Sequence, residues 1–145
     1  MINANLKNKI INGDSIKELK KIPDESFDLI FSDPPYNLQL RNQLLRPDRS
    51  KVDAVNDKWD QFGSFKVYDN FTLNWLKECK RVCKTNAKVV LIEHLRDLPN
   101  FLAFSIGFTH FFSKNTWVSD FNKAGFTLDN SLKFTRFMSI LTFKK

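Results

Sequence analysis

"DLIFSDPPYNLQL", residues 28–40, decides how the rest of the chain is read. An apolar run, Leu29 to Phe31, leads through Ser32 into Asp33, two prolines and Tyr36. Nearly continuous apolar character over residues 27–32 marks a strand of the parallel kind, covered on both faces. The prolines that end it fix φ and remove two N–H donors, so the loop is stiff and its carbonyls remain available as acceptors. Proline also biases the residue before it, here Asp33 and Pro34, away from helical geometry. A carboxylate, a carbonyl and an aromatic ring therefore meet at a strand end.

In a doubly wound sheet, ligands bind beyond the carboxyl ends of the strands. The Asp33 carboxylate and the Pro34 carbonyl make a rigid acceptor pair, and Tyr36 supplies a flat face. An amino group on a planar ring suits this arrangement: its two N–H groups meet the acceptors while the ring stacks on tyrosine. Such an amino group is a poor nucleophile because its lone pair is delocalised into the ring. Two acceptors on its hydrogens favour pyramidal nitrogen, and Asp33 can take the departing proton or pass it to water. A bare D-P-P-Y also serves as a rigid turn with the tyrosine as core anchor. Its place after "DLIFS" favours the chemical reading.

Outward from the motif, the first third reads as a β-α-β unit. Lys9 to Asn12, "KIIN", is a short apolar strand broken by Gly13. Ser15 opens a helix with Glu18 completing a capping box, Ile16, Leu19 and Ile22 form its buried face, and Pro23 stops it. Residues 37–68 are polar, mixed in charge and without period, too long for an ordinary connection. A helix is expected from an N-cap at Asp69 to Lys84, with Phe71, Trp75, Leu76, Cys79, Val82 and Cys83 on one stripe. "AKVVLIE", residues 87–93, is a third buried strand, and the alternation is that of a doubly wound α/β sheet. Beyond residue 94 the pattern changes: ten of the fifteen phenylalanines lie past residue 100. There "FLAFSIGFTHFF" reads as a buried helix or strand, and "SLKFTRFMSILTFKK" as a terminal strand pair. The chain thus divides into 1–93, holding the motif and the long loop, and a phenylalanine-rich segment 94–145 whose fold stays open.

At 145 residues the chain has the length of one domain. A net charge of +7 favours an acidic partner, nucleic acid first and a membrane surface second. No run of eighteen apolar residues offers a spanning helix, and "MINANLKNKI" has no signal-peptide core, which points to the cytoplasm. Cys79 and Cys83 sit four apart with no second Cys/His pair to complete a metal site, so they read as reduced core thiols and no metal is expected. His94 reads as a strand-end histidine, and His110 has no evident partner.

"INGDSIKELKKIPDESFDLIFSDPPYNLQL" and then "RPDRSKVDAVNDKWDQFGSFKVYDNFTLNWLKECKRV" resemble the N-terminal part of a known family. It is the permuted, beta-class DNA adenine-N6 methyltransferases, in particular the cell-cycle-regulated enzymes that modify GANTC sites. The resemblance covers about residues 8–84, and the "RPDRSKVDAVNDKWDQF" element makes it specific. It implies a partial Rossmann-like S-adenosylmethionine-dependent methyltransferase fold, mainly parallel, with a divergent C-terminal segment. It also implies methyl transfer from S-adenosylmethionine to the N6 amino group of adenine in DNA, and allows a homodimer.

By position, Asp33 and Pro34 would hold the amino group and Tyr36 would stack on the flipped adenine. Pro35, Asn37 and Leu38 would extend the pocket. Asp14 would face the cofactor's adenine or ribose, or else simply cap a helix. The loop would lie near DNA with Arg41, Arg46, Arg49, Lys51 and Lys58 available for phosphates, although Asp48, Asp53, Asp57 and Asp60 balance much of that charge. Trp59 and Phe62 read as loop anchors or base-contacting wedges. Two alternatives stay open: a cytosine-N4 enzyme, in which serine commonly heads the motif, and a non-catalytic DNA-binding remnant. Gly13, Gly63, Gly107 and Gly125 are too far apart to form the family's F-x-G-x-G turn, so the cofactor site is expected to be incomplete.

Overall fold

The computed structural model of the protein describes residues 7–35, 37 and 58–145. Helix α1, Ser15–Leu19, precedes strand β1, Phe27–Ser32; a 3-10 turn at Lys58–Asp60 then leads into helix α2, Phe65–Val82. Strand β2 is Cys83–His94 and helix α3 is Leu98–Phe104, extended by a 3-10 segment at Ser105–His110. Helix α4, Lys114–Lys123, and the strands β3, Thr127–Lys133, and β4, Met138–Lys144, complete the chain.

The four strands form one sheet in the order β1-β2-β4-β3. β1 and β2 run parallel, as the motif strand and "AKVVLIE" led one to expect, whereas β2–β4 and β4–β3 are antiparallel. Parallel character is thus confined to one pair, because β3 and β4 form an antiparallel ribbon added at the far side, as mixed α/β sheets often do. The phenylalanine-rich segment is not a separate body: β4 lies between β2 and β3 in the same sheet.

One sheet face carries the core. Val89 and Leu91 of β2 and Leu141 and Phe143 of β4 are fully buried against Trp75, Leu76 and Cys79 of α2 and Trp117 and Phe121 of α4. Phe121 stacks on Phe143 with ring centroids 3.6 Å apart. α2 begins four residues earlier than Asp69, because Ser64 accepts the Val67 N–H as N-cap; this brings Tyr68 onto the buried stripe. Cys79 and Cys83 are buried free thiols, and burial pushes the Cys79 thiol upward first, then its neighbour Cys83. The other face is open: Leu29, Phe31 and Leu132 are each more than half exposed.

The amino-terminal part departs from expectation. Residues 9–12 form no strand, Ile10 is fully exposed, and no described strand lies beside them to complete a hydrogen-bond ladder. The N-cap of α1 is Asp14 rather than Ser15; its Oδ1 accepts the Lys17 N–H at 2.9 Å. Arg81 ties this part to α2, donating to the Leu19 and Ile22 carbonyls at 2.7 Å each and to Asp24 at 2.6 Å. Among the described residues no helix is long and apolar enough to cross a membrane.

Candidate active site

β1 ends at Ser32, and Asp33, Pro34 and Pro35 leave the sheet at its carboxyl edge. α2 follows β1 and returns the chain to the start of β2, so its first turn lies at this same edge. There Tyr68, 1% exposed, donates its hydroxyl hydrogen to the Pro35 carbonyl at 2.6 Å. The tyrosine ring is itself held between Phe62 and Phe112, with centroids 4.9 and 4.4 Å away. One peptide back, no described residue donates to the Pro34 carbonyl. Helix α2 therefore occupies one proline carbonyl, while the carbonyl of the buried Pro34 has no donor among the described residues and the neighbouring Asp33 is exposed.

Asn37 fixes the far end of the loop. It is 2% exposed and adopts φ 52, a left-handed conformation that asparagine tolerates better than most residues. Its N–H donates to Asp60 Oδ1 at 2.8 Å, and its side-chain oxygen accepts the Phe62 N–H at 3.0 Å. The side chain therefore braces the loop and does not line the cleft in front of it.

That cleft has a volume of about 750 Å³, in the range of small-molecule sites. Residues 12–15 form one side and Ser32 to Pro35 the other, with Trp59, Phe71 and Trp75 between. It brings together the two acidic residues singled out from the sequence, Asp14 and Asp33. Asp14 caps α1 and borders the cleft at once, so the two readings of this residue coexist. Trp59 is 67% exposed and borders the cleft, which leaves Phe62, packed on Tyr68 and Phe71, as the anchor of the pair. Tyr36, Leu38, Arg41, Arg46, Arg49 and Lys51 lie outside the described residues, and Lys58 opens the 3-10 turn.

Two residues at this edge escaped sequence reasoning. Tyr68 was hidden by placing the helix start at Asp69; taking Ser64 as N-cap would have exposed it. The second is Glu93, at the end of β2, which is 0% exposed with neither side-chain oxygen hydrogen-bonded among the described residues. Burial pushes its carboxyl well above the usual carboxylate range, and the nearby Asp33 and Asp60 push it further. It read only as the polar end of an apolar strand. His94 is held by the Asn100 side chain at 3.1 Å and packed against Phe104 and Phe111, as a strand-end residue.

A family model described as DNA methylase matches residues 27–138, including the phenylalanine-rich segment. The Type II methyltransferase M.HinfI of Haemophilus influenzae is 45% identical over 91 residues, 63% of this chain and 25% of that protein. The Type II methyltransferase M.BamHI of Bacillus amyloliquefaciens is 35% identical over 83 residues, 57% of this chain and 16% of that protein. The chain thus spans a quarter or less of the curated relatives it matches. Among solved structures, a SAM-dependent methyltransferase from Aquifex aeolicus superposes with a TM-score of 0.59 at 15% identity, over 97% of this chain and 56% of that one. A Thermus thermophilus protein described as a DNA modification methylase gives 0.58 at 15% identity, over 92% of this chain and 50% of that one. At this identity the two structures establish the fold, a mixed α/β methyltransferase sheet.

Proposed function

Because the chain belongs to the N6/N4 DNA methylase family, we propose that it forms the amino-group-binding part of a DNA adenine-N6 methyltransferase that uses S-adenosylmethionine. The observation that carries the reading is that Asp33 and Pro34 line the cleft with no described donor on the Pro34 carbonyl, while Tyr68 and Asn37 hold the loop on either side. The cofactor, when bound, supplies an electrophilic methyl group on a sulfonium. Asp33 and Pro34 accept the two N–H groups of the target amine, which draws the nitrogen toward pyramidal geometry and frees its lone pair. Asp33 would take the amine proton released on methylation or pass it to water. The described residues suit one wall of a cofactor site: Asp14 has an oxygen beyond the one that caps α1, and the cleft between it and Asp33 is lined by aromatic rings. They provide no Gly-x-Gly turn for the opposite wall.

Aspartate at the head of the motif favours adenine over cytosine, and the "RPDRSKVDAVNDKWDQF" element favours the GANTC-modifying, cell-cycle-regulated type. The same reading carries with it a cytoplasmic enzyme on DNA and allows a homodimer. The test is methyl transfer to duplex DNA, with this chain supplemented by a polypeptide bearing the F-x-G-x-G half. N6-methyladenine is the expected product, and N4-methylcytosine would establish the alternative. Asp33→Ala is expected to abolish transfer while leaving DNA affinity within a few-fold, since phosphate contacts supply most of the affinity. Near-normal turnover in that variant would overturn the role of Asp33.

A further inference from the structure

A second group of residues gathers at the carboxyl edge of the sheet, on the far side of Tyr68 from the motif. Arg96 follows β2, Phe65 opens α2, and His110 closes the 3-10 segment. The Arg96 N–H donates to the Phe112 carbonyl at 2.9 Å and its side-chain Nε to the Phe111 carbonyl at 2.8 Å. Its guanidinium lies over the Phe65 ring, 5.8 Å from the centroid, and that ring stacks with His110 at 6.1 Å. Backbone, Nε and ring contacts thus fix a cation that is exposed to solvent. Its two Nη groups meet no carboxylate among the described residues, whereas the next residue, Asp97, is paired with Lys133.

We propose that Arg96, with His110 beside it, binds a phosphodiester group of the DNA strand that passes the motif. A guanidinium oriented through Nε presents its Nη donors as a fork suited to phosphate oxygens. An arginine lying on an aromatic face is also less hydrated, and so gives up less on meeting an anion. The position suits the substrate. Tyr68 packs on Phe112, whose carbonyl accepts the Arg96 backbone N–H, and the same tyrosine holds Pro35, so two residues, Phe112 and Tyr68, link the Arg96 backbone to the motif loop. His110 is held toward its neutral form by burial and then by the Arg96 charge, so an arriving phosphate would favour its protonation and gain a second donor. This inference rests on DNA as the substrate and assigns a contact outside the loop 37–68.

The test is binding of a short fluorescein-labelled duplex by the unaltered chain, Arg96→Gln and Lys77→Gln, followed by anisotropy over a range of salt. Lys77 is an exposed α2 residue about 18 Å from the first turn by helical rise, so its loss matches the charge change without touching the site. Arg96→Gln is expected to weaken binding and lower the slope of log K against log salt by about one; Lys77→Gln is expected to leave the slope unchanged. Equal slopes for all three proteins would overturn the Arg96 contact while leaving DNA as the substrate. No binding by the unaltered chain to duplex or single strands would overturn both. A second readout needs no substitution: the chain has two histidines, and duplex DNA should shift the His110 ring proton resonances and leave those of His94 in place. A still His110 signal on a DNA-bound chain would also overturn the proposal.

Discussion

Replacing Glu93 with glutamine should remove a pH-dependent loss of stability. In the folded chain Glu93 is 0% exposed, and among the described residues neither of its carboxyl oxygens has a hydrogen-bond partner. Burial first, then Asp33 and Asp60, hold its folded pKa well above the ordinary value of 4.5. The folded state therefore keeps a proton that the unfolded chain releases. The stabilisation from the neutral carboxyl is complete below about pH 4.5 and declines as pH rises toward the folded pKa, by about 1.4 kcal/mol per pH unit. Against a total of about 5–15 kcal/mol for a domain, each such unit is a sizeable share. Glutamine preserves the shape and cannot ionise. It introduces a roughly constant offset from its buried amide, but no slope. With urea m-values of about 1–3 kcal/mol/M, the unfolding midpoint of Glu93→Gln should gain about 0.5–1.4 M on the unaltered chain for each pH unit between about 4.5 and the folded pKa. Other titrating groups are common to both proteins and cancel in the difference. Parallel midpoints across that range would show that Glu93 ionises in the fold as easily as in water, and the reasoning would fail. Asp33→Asn should narrow the window, because it removes one of the charges that disfavour ionisation.

The remaining predictions concern the motif loop and the cleft. Tyr68→Phe should cost about 1–3 kcal/mol in denaturant unfolding, since it strands the Pro35 carbonyl while keeping the ring. Asn37→Ala should cost about 1–3 kcal/mol, from left-handed strain together with the lost acceptor for Phe62 N–H. Asn37→Gly should keep the conformation and lose only the hydrogen bond, so the Ala–Gly difference in unfolding midpoint isolates the strain. S-adenosylmethionine should bind the chain by itself weakly or not at all in calorimetry, because one wall leaves few contacts to offset the ordering of a flexible ligand. Micromolar binding would show that the cleft between Asp14 and Asp33 is sufficient.

Legibility followed the range of the interactions involved. β1 and β2 were readable as short apolar runs, but the expectation that both their faces are covered fails: β1 has no buried residue and β2 buries alternate residues, because one sheet face is left open. α2 was readable as a stripe, and its start was misplaced because Asp69 and Ser64 are both good caps; the buried Tyr68 decides for Ser64. Residues 9–12 have the composition of a strand, yet a strand exists only with a ladder partner, and composition does not supply one. α4 was missed because Trp117, Asp120 and Phe121 make a short buried face that the surrounding phenylalanines obscure. At the site, Asp33 and its prolines stood out because rigidity is written in the residues themselves. Glu93 and Arg96 did not, since their surroundings come from segments distant in sequence. Glu93 draws its unusual state from Asp33 and Asp60, and Arg96 its orientation from the Phe111 carbonyl and Phe65.

The two proline carbonyls show how this fold prepares an acceptor. With φ fixed at both prolines, the freedom left to the loop is rotation about ψ. Tyr68 limits that rotation at Pro35 by holding its carbonyl, and burial limits it at Pro34. Asn37 is in turn tied to Asp60 and Phe62. On the proposed reading, the Pro34 carbonyl is aimed before any amine arrives, and the entropy of ordering it is lost when α2 packs rather than when substrate binds. A base held equally well in ground and transition states gains nothing in rate, whereas an acceptor already in place for pyramidal nitrogen acts on the reacting state. The hydroxyl of Tyr68 belongs to that preparation without touching the substrate. Tyr68→Phe should therefore lower kcat of the supplemented enzyme more than it raises KM, and a change confined to KM would place the tyrosine in binding alone.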